Sequence, residues 1–314
     1  MVPSETPHPI VWLHHAGQHL GLVPSMGGGV AAWHADSAHG LVDLWRTWDG
    51  SPDMYSLASF PMVPWSNRIS AGGFTHEERF HPIQNNRAGE PYPIHGDGWL
   101  QAWDIAQPSA DTLVMRLRSE FFQGNPYHYE AEQTFRLVDG GLDQRVQVRH
   151  LGAQSMPYGI GVHPWFPRTP ATRITAAVQG VWLCGADPLP TEHTANYPVG
   201  WNLNEGISAH GSLIDNGYTG WGGSARIEWP ERGLQLAATM PDFEADGGPD
   251  AHYCLIYRPP QGPAFCFEPI TQPIDAFHLP GRPGLQVLSK GESHALNVQW
   301  RFGALPRVQA IDLS

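Results

Sequence analysis

Apolar and polar residues alternate with period two in several separate stretches of this chain. Leu113, Met115 and Leu117 fall on one face of an extended segment, with Val114, Arg116 and Arg118 on the other. Ala225, Ile227 and Trp229 alternate with Arg226 and Glu228, and Leu296, Val298, Trp300 and Phe302 repeat the pattern near the end. Successive side chains of a strand point to opposite sides, so this spacing predicts half-buried β-strands. Phe135 and Leu137 lead into Asp139-Gly140-Gly141, after which Val146 and Val148 alternate with Arg145, Gln147 and Arg149. That order predicts a hairpin closed by a glycine turn. Long helical patterns are absent, because proline or glycine interrupts almost every window that might hold one. The Gly- and Pro-rich stretch from Met240 to Pro263 reads as a long loop between strands.

Composition supports the same fold class. The chain has 314 residues with 35 Gly and 30 Pro, and only 15% of its residues are charged. Many turns and few charges favour an all-β protein. No fixed-period repeat or low-complexity linker divides the chain. The expectation is one domain over residues 1–314, built as a large antiparallel β-sandwich with its sheets packed face to face. A chain of this length buries a sizeable core without disulfides or metals.

Charge and cysteine usage narrow the partners. The net charge of −12 disfavours nucleic acid, which needs clustered Lys and Arg. Cys184, Cys254 and Cys266 cannot all pair within one chain, and none forms a Cys-x-x-Cys pair. A reducing, cytoplasmic location is the expectation. The N-terminal residues show no basic and apolar signal pattern, and no apolar run is long enough to span a bilayer, so no membrane partner is expected.

Two short apolar segments each carry one ionisable side chain. Phe265-Cys266-Phe267-Glu268-Pro269 puts Glu268 on one strand face with Cys266, and Phe265 and Phe267 on the other. Far upstream, Gly161-Val162-His163-Pro164-Trp165-Phe166 carries His163. A carboxylate and an imidazole so placed suit proton transfer, although a buried structural ion pair has the same signature. Asn67-Arg68-Ile69 follows a proline- and tryptophan-containing stretch, which suggests a rigid loop presenting a guanidinium. In Ile94-His95-Gly96-Asp97-Gly98-Trp99 the glycines would let a ligand approach the backbone, with Trp99 either a sugar-stacking wall or a core residue.

Other chemistries fail on spacing. His76 and His81 are five apart in a strand-like context, whereas the zinc-protease motif needs histidines four apart on a helix. Met26-Gly27-Gly28-Gly29 lacks the register of a nucleotide loop, and no Gly-x-Ser-x-Gly elbow is present.

Taken in order, Asn67-Arg68-Ile69, Ile94-His95-Gly96, Gly161-Val162-His163-Pro164-Trp165-Phe166, Leu213-Ile214-Asp215-Asn216 and Phe267-Glu268-Pro269 resemble the motif series of the aldose 1-epimerase (galactose mutarotase) family. The resemblance runs from about Gly27 to Trp300, and the wording around Asp215 is similar to a bacterial branch. It implies the galactose mutarotase-like supersandwich fold and interconversion of the α and β anomers of a free aldose. It implies His163 as general acid and Glu268 as general base. It also implies that Arg68, His95 and Asp215 hold sugar hydroxyls, with Asn67 bordering them.

The side chains suit that reaction on their own terms. Ring opening needs the O1 proton removed and the ring oxygen O5 protonated. At their ordinary pKa values, about 4.3 and about 6.5, Glu268 would be ionised and His163 protonated near slightly acidic pH. A carboxylate neighbour would raise the imidazole pKa towards neutrality. No metal, nucleotide or other cofactor is needed. The expected partner is a small aldose, and the expected state a monomer or homodimer. Two alternatives are an epimerase for an anionic sugar, such as a hexose 6-phosphate or sulfonated hexose, and a non-catalytic sugar-binding protein. Arg79, Arg87 and Arg168 are the cations an anionic C6 group would call on.

Overall fold

The computed structural model describes residues 8–241 and 253–306. Among them the chain is built from β-strands, and its helices are short 3-10 turns such as Met54–Ser56 and Gly98–Leu100. Two large sheets dominate. The nine-stranded sheet runs, in spatial order, Ile207–Ser208, Arg173–Ala176, Ser224–Trp229, Leu234–Thr239, Ser293–Ala304, Gly141–His150, His128–Val138, Thr112–Glu120 and Asp104–Pro108. The eight-stranded sheet runs Pro190–Thr194, Gly180–Cys184, Ile214–Thr219, Tyr253–Arg258, Ala264–Ile270, Gly161–Val162 and Pro61–Met62, with Trp165–Pro167 also pairing to Ala264–Ile270. Neighbouring strands in both sheets are antiparallel.

The alternating stretches are strands with the predicted faces. Leu113, Met115 and Leu117 are buried while Arg116 and Arg118 are exposed. His128–Val138 and Gly141–His150 pair with Val138 opposite Gly141, so Asp139 and Gly140 make the turn. Gly140 has φ +66°, a left-handed conformation that glycine adopts without strain. The alternation in the last strand holds through Trp300, but Phe302 is only partly buried.

The inner faces of the two sheets meet through aromatic contacts. Phe166 packs on Phe265 at 5.6 Å between ring centroids and on Trp300 of the nine-stranded sheet at 5.8 Å. Trp45, from the sheet Val11–His15, Gln18–Val23, Gly29–Ser37 and Gly40–Trp45, meets Trp300 edge-on at 5.4 Å. Trp300 is fully buried here, and truncating such a residue to Ala typically costs about 3–5 kcal/mol.

The long loop expected over Met240–Pro263 is corrected in part. Tyr253–Arg258 is a central strand between Ile214–Thr219 and Ala264–Ile270, and 242–252 lie outside the described residues. Tyr253, Cys254, Leu255 and Ile256 are consecutive buried residues. A strand covered on both faces shows no alternation, so it offers no period-two signal.

Candidate active site

One side of the strand Ala264–Ile270 faces the sheet interface, and the other faces a cleft. Phe265 and Phe267 take the interface side, where Phe267 meets Trp221 at 5.3 Å. Cys266 and Glu268 take the cleft side. Register then lines up neighbours: Asp215 pairs with Tyr257, Tyr257 with Cys266, and Cys266 with Trp165. This cross-strand row brings Asp215 and Trp165 to the wall that carries Glu268. His163 follows Gly161–Val162, and its main-chain N–H donates to the Phe60 carbonyl at 3.1 Å.

Asn67, Arg68 and His95 come from two loops clasped together. The N–H of His95 donates to the Asn67 carbonyl, and the N–H of Asn67 donates to His95 Nδ1, both at 3.0 Å. His95 Nδ1 is therefore an acceptor, which leaves Nε2 to carry the ring proton. Gly96 belongs to this clasp. A Cβ there would lie 2.0 Å from the Val63 carbonyl oxygen, so the glycine serves backbone packing rather than the ligand approach expected from sequence. Trp99 is a core residue, stacked on Phe60 at 5.7 Å with its indole N–H on the Gly96 carbonyl at 3.0 Å.

The six residues Asn67, Arg68, His95, His163, Asp215 and Glu268 all line a single cleft of about 330 Å³. Sequence reasoning did not place Tyr55, Glu90, Trp165 and Tyr257 in its wall, and it left Arg87 without a position. Trp165 sits two residues after His163, so strand alternation was available as a signal. Tyr55, Arg87 and Glu90 lie on irregular segments that carry no local pattern. A second concavity of about 380 Å³ lies on the outside of the nine-stranded sheet. Four of its charges pair across neighbouring strands, Arg116 with Glu132 and Arg118 with Glu130, so it has the character of a solvated sheet face.

The acid–base candidates are in contact. His163 Nε2 lies 3.4 Å from Glu268 Oε1, and both side chains are almost fully buried. Cys266 Sγ lies 3.6 Å from the other ring nitrogen, Nδ1. Glu268 Oε2 has no hydrogen-bond partner among the described residues. Burial pulls the His163 pKa down to about 3, helped by the positive charges of Arg46 and Arg87. Burial likewise pushes Glu268 well above the ordinary carboxyl range; Asp215 adds to the rise and Arg68 opposes it. This corrects the expectation of an ionised Glu268 beside a protonated His163 in the free protein. The pair rests neutral, because desolvation of two charges outweighs their attraction at this separation.

Arg68 is the polar hub. Its Nε donates to Glu90 Oε2 at 3.1 Å, and its Nη1 to Asp215 Oδ2 at 3.3 Å and Asn67 Oδ1 at 3.4 Å. Burial lowers its pKa, but Asp215 and Glu90 outweigh that and hold the guanidinium charged. Burial raises Asp215 against the pull of Arg68. His95 is kept neutral, chiefly by burial and then by His163 and Arg68, so its Nε2–H is an uncharged donor.

His163, Cys266 and Glu268 offer a nitrogen, a sulfur and an oxygen, all within 4.8 Å of one another. Within this set His163 and Glu268 are already in direct contact at 3.4 Å, and burial holds the Cys266 thiol above its ordinary pKa. His76 and His81 belong to the hairpin Gly73–His76 and Arg79–Pro82, where His81 stacks on Phe74 at 5.3 Å. Cys184, Cys254 and Cys266 are all free thiols.

With this geometry in hand, the comparisons decide the family. The aldose 1-epimerase family model matches residues 11–301. The chain belongs to the aldose 1-epimerase family. The uncharacterized protein YphB of Escherichia coli K12 is 32% identical over 252 residues, which cover 77% of this chain and 83% of that protein. A crystal structure from Escherichia coli K12, provisionally named an aldose 1-epimerase, superposes with a TM-score of 0.86 at 29% identity, covering 95% of this chain and 99% of the other. A galactose mutarotase-like protein of Clostridium acetobutylicum shares the fold with a TM-score of 0.80 at 17% identity, over 95% and 96% of the two chains. The large antiparallel β-sandwich is thus the galactose mutarotase-like fold. Among the described residues no helix is long and apolar enough to cross a membrane.

Proposed function

We propose that this protein is a mutarotase: an isomerase that interconverts the α and β anomers of a free, uncharged aldose by acid–base ring opening and closure. The observation that carries the reading is the buried contact of His163 Nε2 with Glu268 Oε1 at 3.4 Å, in a cleft also lined by Arg68, His95 and Asp215. Two groups that close can serve two oxygens on one carbon, and O1 and O5 of a pyranose are both bonded to C1.

In the ring-opening step Glu268, as carboxylate, takes the O1 proton. The C1–O5 bond breaks as C1=O1 forms, and His163 gives its Nε2 proton to O5. The products are the open-chain aldehyde, a neutral Glu268 and a neutral His163. That is the state burial favours in the free cleft, so the ionic form that starts the step has to arise when the sugar binds. The sugar supplies hydrogen bonds to the ionic form when it binds. Rotation about C1–C2 then presents the other carbonyl face, and the reverse transfers close the ring. Positioned general acids and bases contribute ~10²–10⁴-fold each. Arg68, His95 and Asp215 hold hydroxyls, with the His95 Nε2–H as an uncharged donor.

The charge balance of the cleft favours a neutral sugar. Its lining carries Arg68 and Arg87 against Glu90 and Asp215, with Glu268 neutral at rest. Arg87 is paired with Asp53 at 3.2 Å. Arg79 donates to Gln154, and Arg168 to the main-chain carbonyls of Ala209, Pro259 and Gly262, so neither is free for an anionic C6 group. Polarimetry of freshly dissolved α-glucose and α-galactose, with and without protein, tests the reading. Faster decay of rotation towards the same final value supports it; no acceleration with any neutral aldose refutes it.

A further inference from the structure

Three buried polar atoms that have no hydrogen-bond partner among the described residues belong to residues that line the same cleft: Tyr55 Oη, Trp165 Nε1 and Glu268 Oε2. Glu268 has a role in the chemistry above. Tyr55 and Trp165 have none so far. Leaving a buried donor unpaired is costly. The indole N–H groups of Trp33, Trp45 and Trp65 are also unpaired among the described residues, but only Tyr55 and Trp165 of these donors line the cleft, where a ligand can supply the acceptor.

An arginine stacks on each ring and favours its present orientation. The Arg46 guanidinium lies 4.0 Å from the centre of the Trp165 ring. Its Nε donates to the Leu57 carbonyl at 2.9 Å, and its Nη2 donates to the carbonyls of Leu57 and Tyr55. The main-chain N–H of Arg46 donates to the Trp165 carbonyl at 2.9 Å. One residue thus ties the Trp165 ring to the backbone of Tyr55. Arg87 lies 3.7 Å from the centre of the Tyr55 ring and donates to Asp53. Asp53 in turn accepts the Tyr55 N–H at 3.0 Å. On their other sides both rings touch His163, Tyr55 at 5.7 Å and Trp165 at 5.5 Å between centroids.

We propose that Tyr55 and Trp165 are a second sugar-contacting pair, whose O–H and N–H donate to hydroxyl oxygens of the aldose held between His163 and Glu268, with Arg46 as the residue that positions both. The inference rests on the mutarotase reading above. An indole N–H only donates, so Trp165 requires an oxygen acceptor on the ligand. Burial pushes the Tyr55 phenol far above its ordinary range, so it too stays a donor at neutral pH. Two fixed donors select a fully hydroxylated aldose over a deoxy sugar that lacks either acceptor.

Tyr55→Phe removes one oxygen and leaves the ring and its contacts. If the hydroxyl has no partner until sugar binds, the free variant melts no lower than wild type, and its sugar Kd and KM rise about three- to tenfold. A merely structural hydroxyl gives the opposite pair of results: a lower melting temperature and an unchanged Kd. Trp165→Phe keeps an aromatic ring without the N–H and loses affinity by a similar factor. Arg46→Lys, which cannot hold both carbonyls and the ring face, weakens sugar binding in the same direction. Wild-type Kd and KM in both Tyr55→Phe and Trp165→Phe overturn the inference while leaving the mutarotase reading intact. Absence of anomer exchange in wild type overturns both.

Discussion

His163 Nε2 and Glu268 Oε1 face each other at 3.4 Å with both side chains almost fully buried. They meet although their positions in the chain are far apart, because Trp165–Pro167 and Gly161–Val162 both pair with the strand that carries Glu268. On the proposed mechanism this contact is the reaction centre. His163→Ala removes the proton donor to O5 and should lower anomer exchange by ~10²-fold or more, with the fold kept. Two-dimensional exchange NMR measures the rate directly, and a wild-type rate in a folded variant would remove His163 from the mechanism.

Binding and stability should both depend on Arg68. It is the shared partner of Glu90 and Asp215, and Arg68→Ala leaves those carboxylates without it. Breaking a buried pair by removing one member costs ~3–5 kcal/mol, and these carboxylates are about a quarter exposed, so the lower end applies. The variant should melt earlier and lose sugar affinity. His95→Asn should lose affinity and turnover with a smaller effect on melting. Unchanged kcat/KM in both variants, on every sugar turned over, would place these side chains outside the site.

The pH profile should be broad. Catalysis needs the pair to hold one labile proton. A second proton must charge buried His163, and that step is pulled down to about 3. Removal of the last proton leaves a buried Glu268 carboxylate, and that step is pushed well above the ordinary value. The acidic limb therefore follows His163 and the alkaline limb Glu268, the reverse of what unperturbed groups would give. Because the groups interact, the limbs report constants of the pair. In kcat/KM against pH, a flat region wider than the interval from about 4.3 to about 6.5 supports the account, and a bell confined inside that interval contradicts it.

Stability should also carry a pH signature from Asp97. Burial raises its pKa to about 6 despite hydrogen bonds from Tyr129, Asn125 and Ser119. A carboxyl with a raised folded pKa stabilises fully below its unfolded value of 3.8, and that contribution is lost as pH rises through about 6. The rise from 3.8 to about 6 is worth at most about 3 kcal/mol. Relative to Asp97→Asn, the wild type should lose stability between pH 4 and pH 6 in urea titrations at fixed ionic strength. Parallel curves would show that Asp97 does not titrate there.

EDTA should leave exchange unchanged, because no step of the proposed mechanism uses a metal. Loss of exchange on chelation, restored by a divalent ion, would show that His163, Cys266 and Glu268 act as ligands instead.

Much of the fold was legible because half-buried strands write their faces into the sequence. Leu113, Met115 and Leu117 could be assigned to the core without coordinates. Tyr253–Arg258 could not, since a strand covered on both faces has no alternation to read. In the cleft, Glu268 and His163 stood out as single ionisable groups in apolar segments. Arg68, His95 and Asp215 came from the motif series. Tyr55, Arg87 and Glu90 reach the cleft only through pairings such as Asp53 with Arg87 and Arg68 with Glu90, which span loops with no local period. The protonation states of His163 and Glu268 depart from their ordinary values for a related reason. Ordinary pKa values assume water, and the degree of burial is set by the packing of sheets far apart in sequence.

The central claim is that Glu268 moves the O1 proton. Glu268→Gln keeps the shape of the side chain and its neutral hydrogen bonding, but cannot take a proton as a carboxylate does. Exchange NMR on one aldose at a saturating concentration, with binding of the same sugar followed by calorimetry, measures the consequence. The account predicts near-abolished anomer exchange with sugar binding retained. Substantial exchange in a folded Glu268→Gln protein would contradict it.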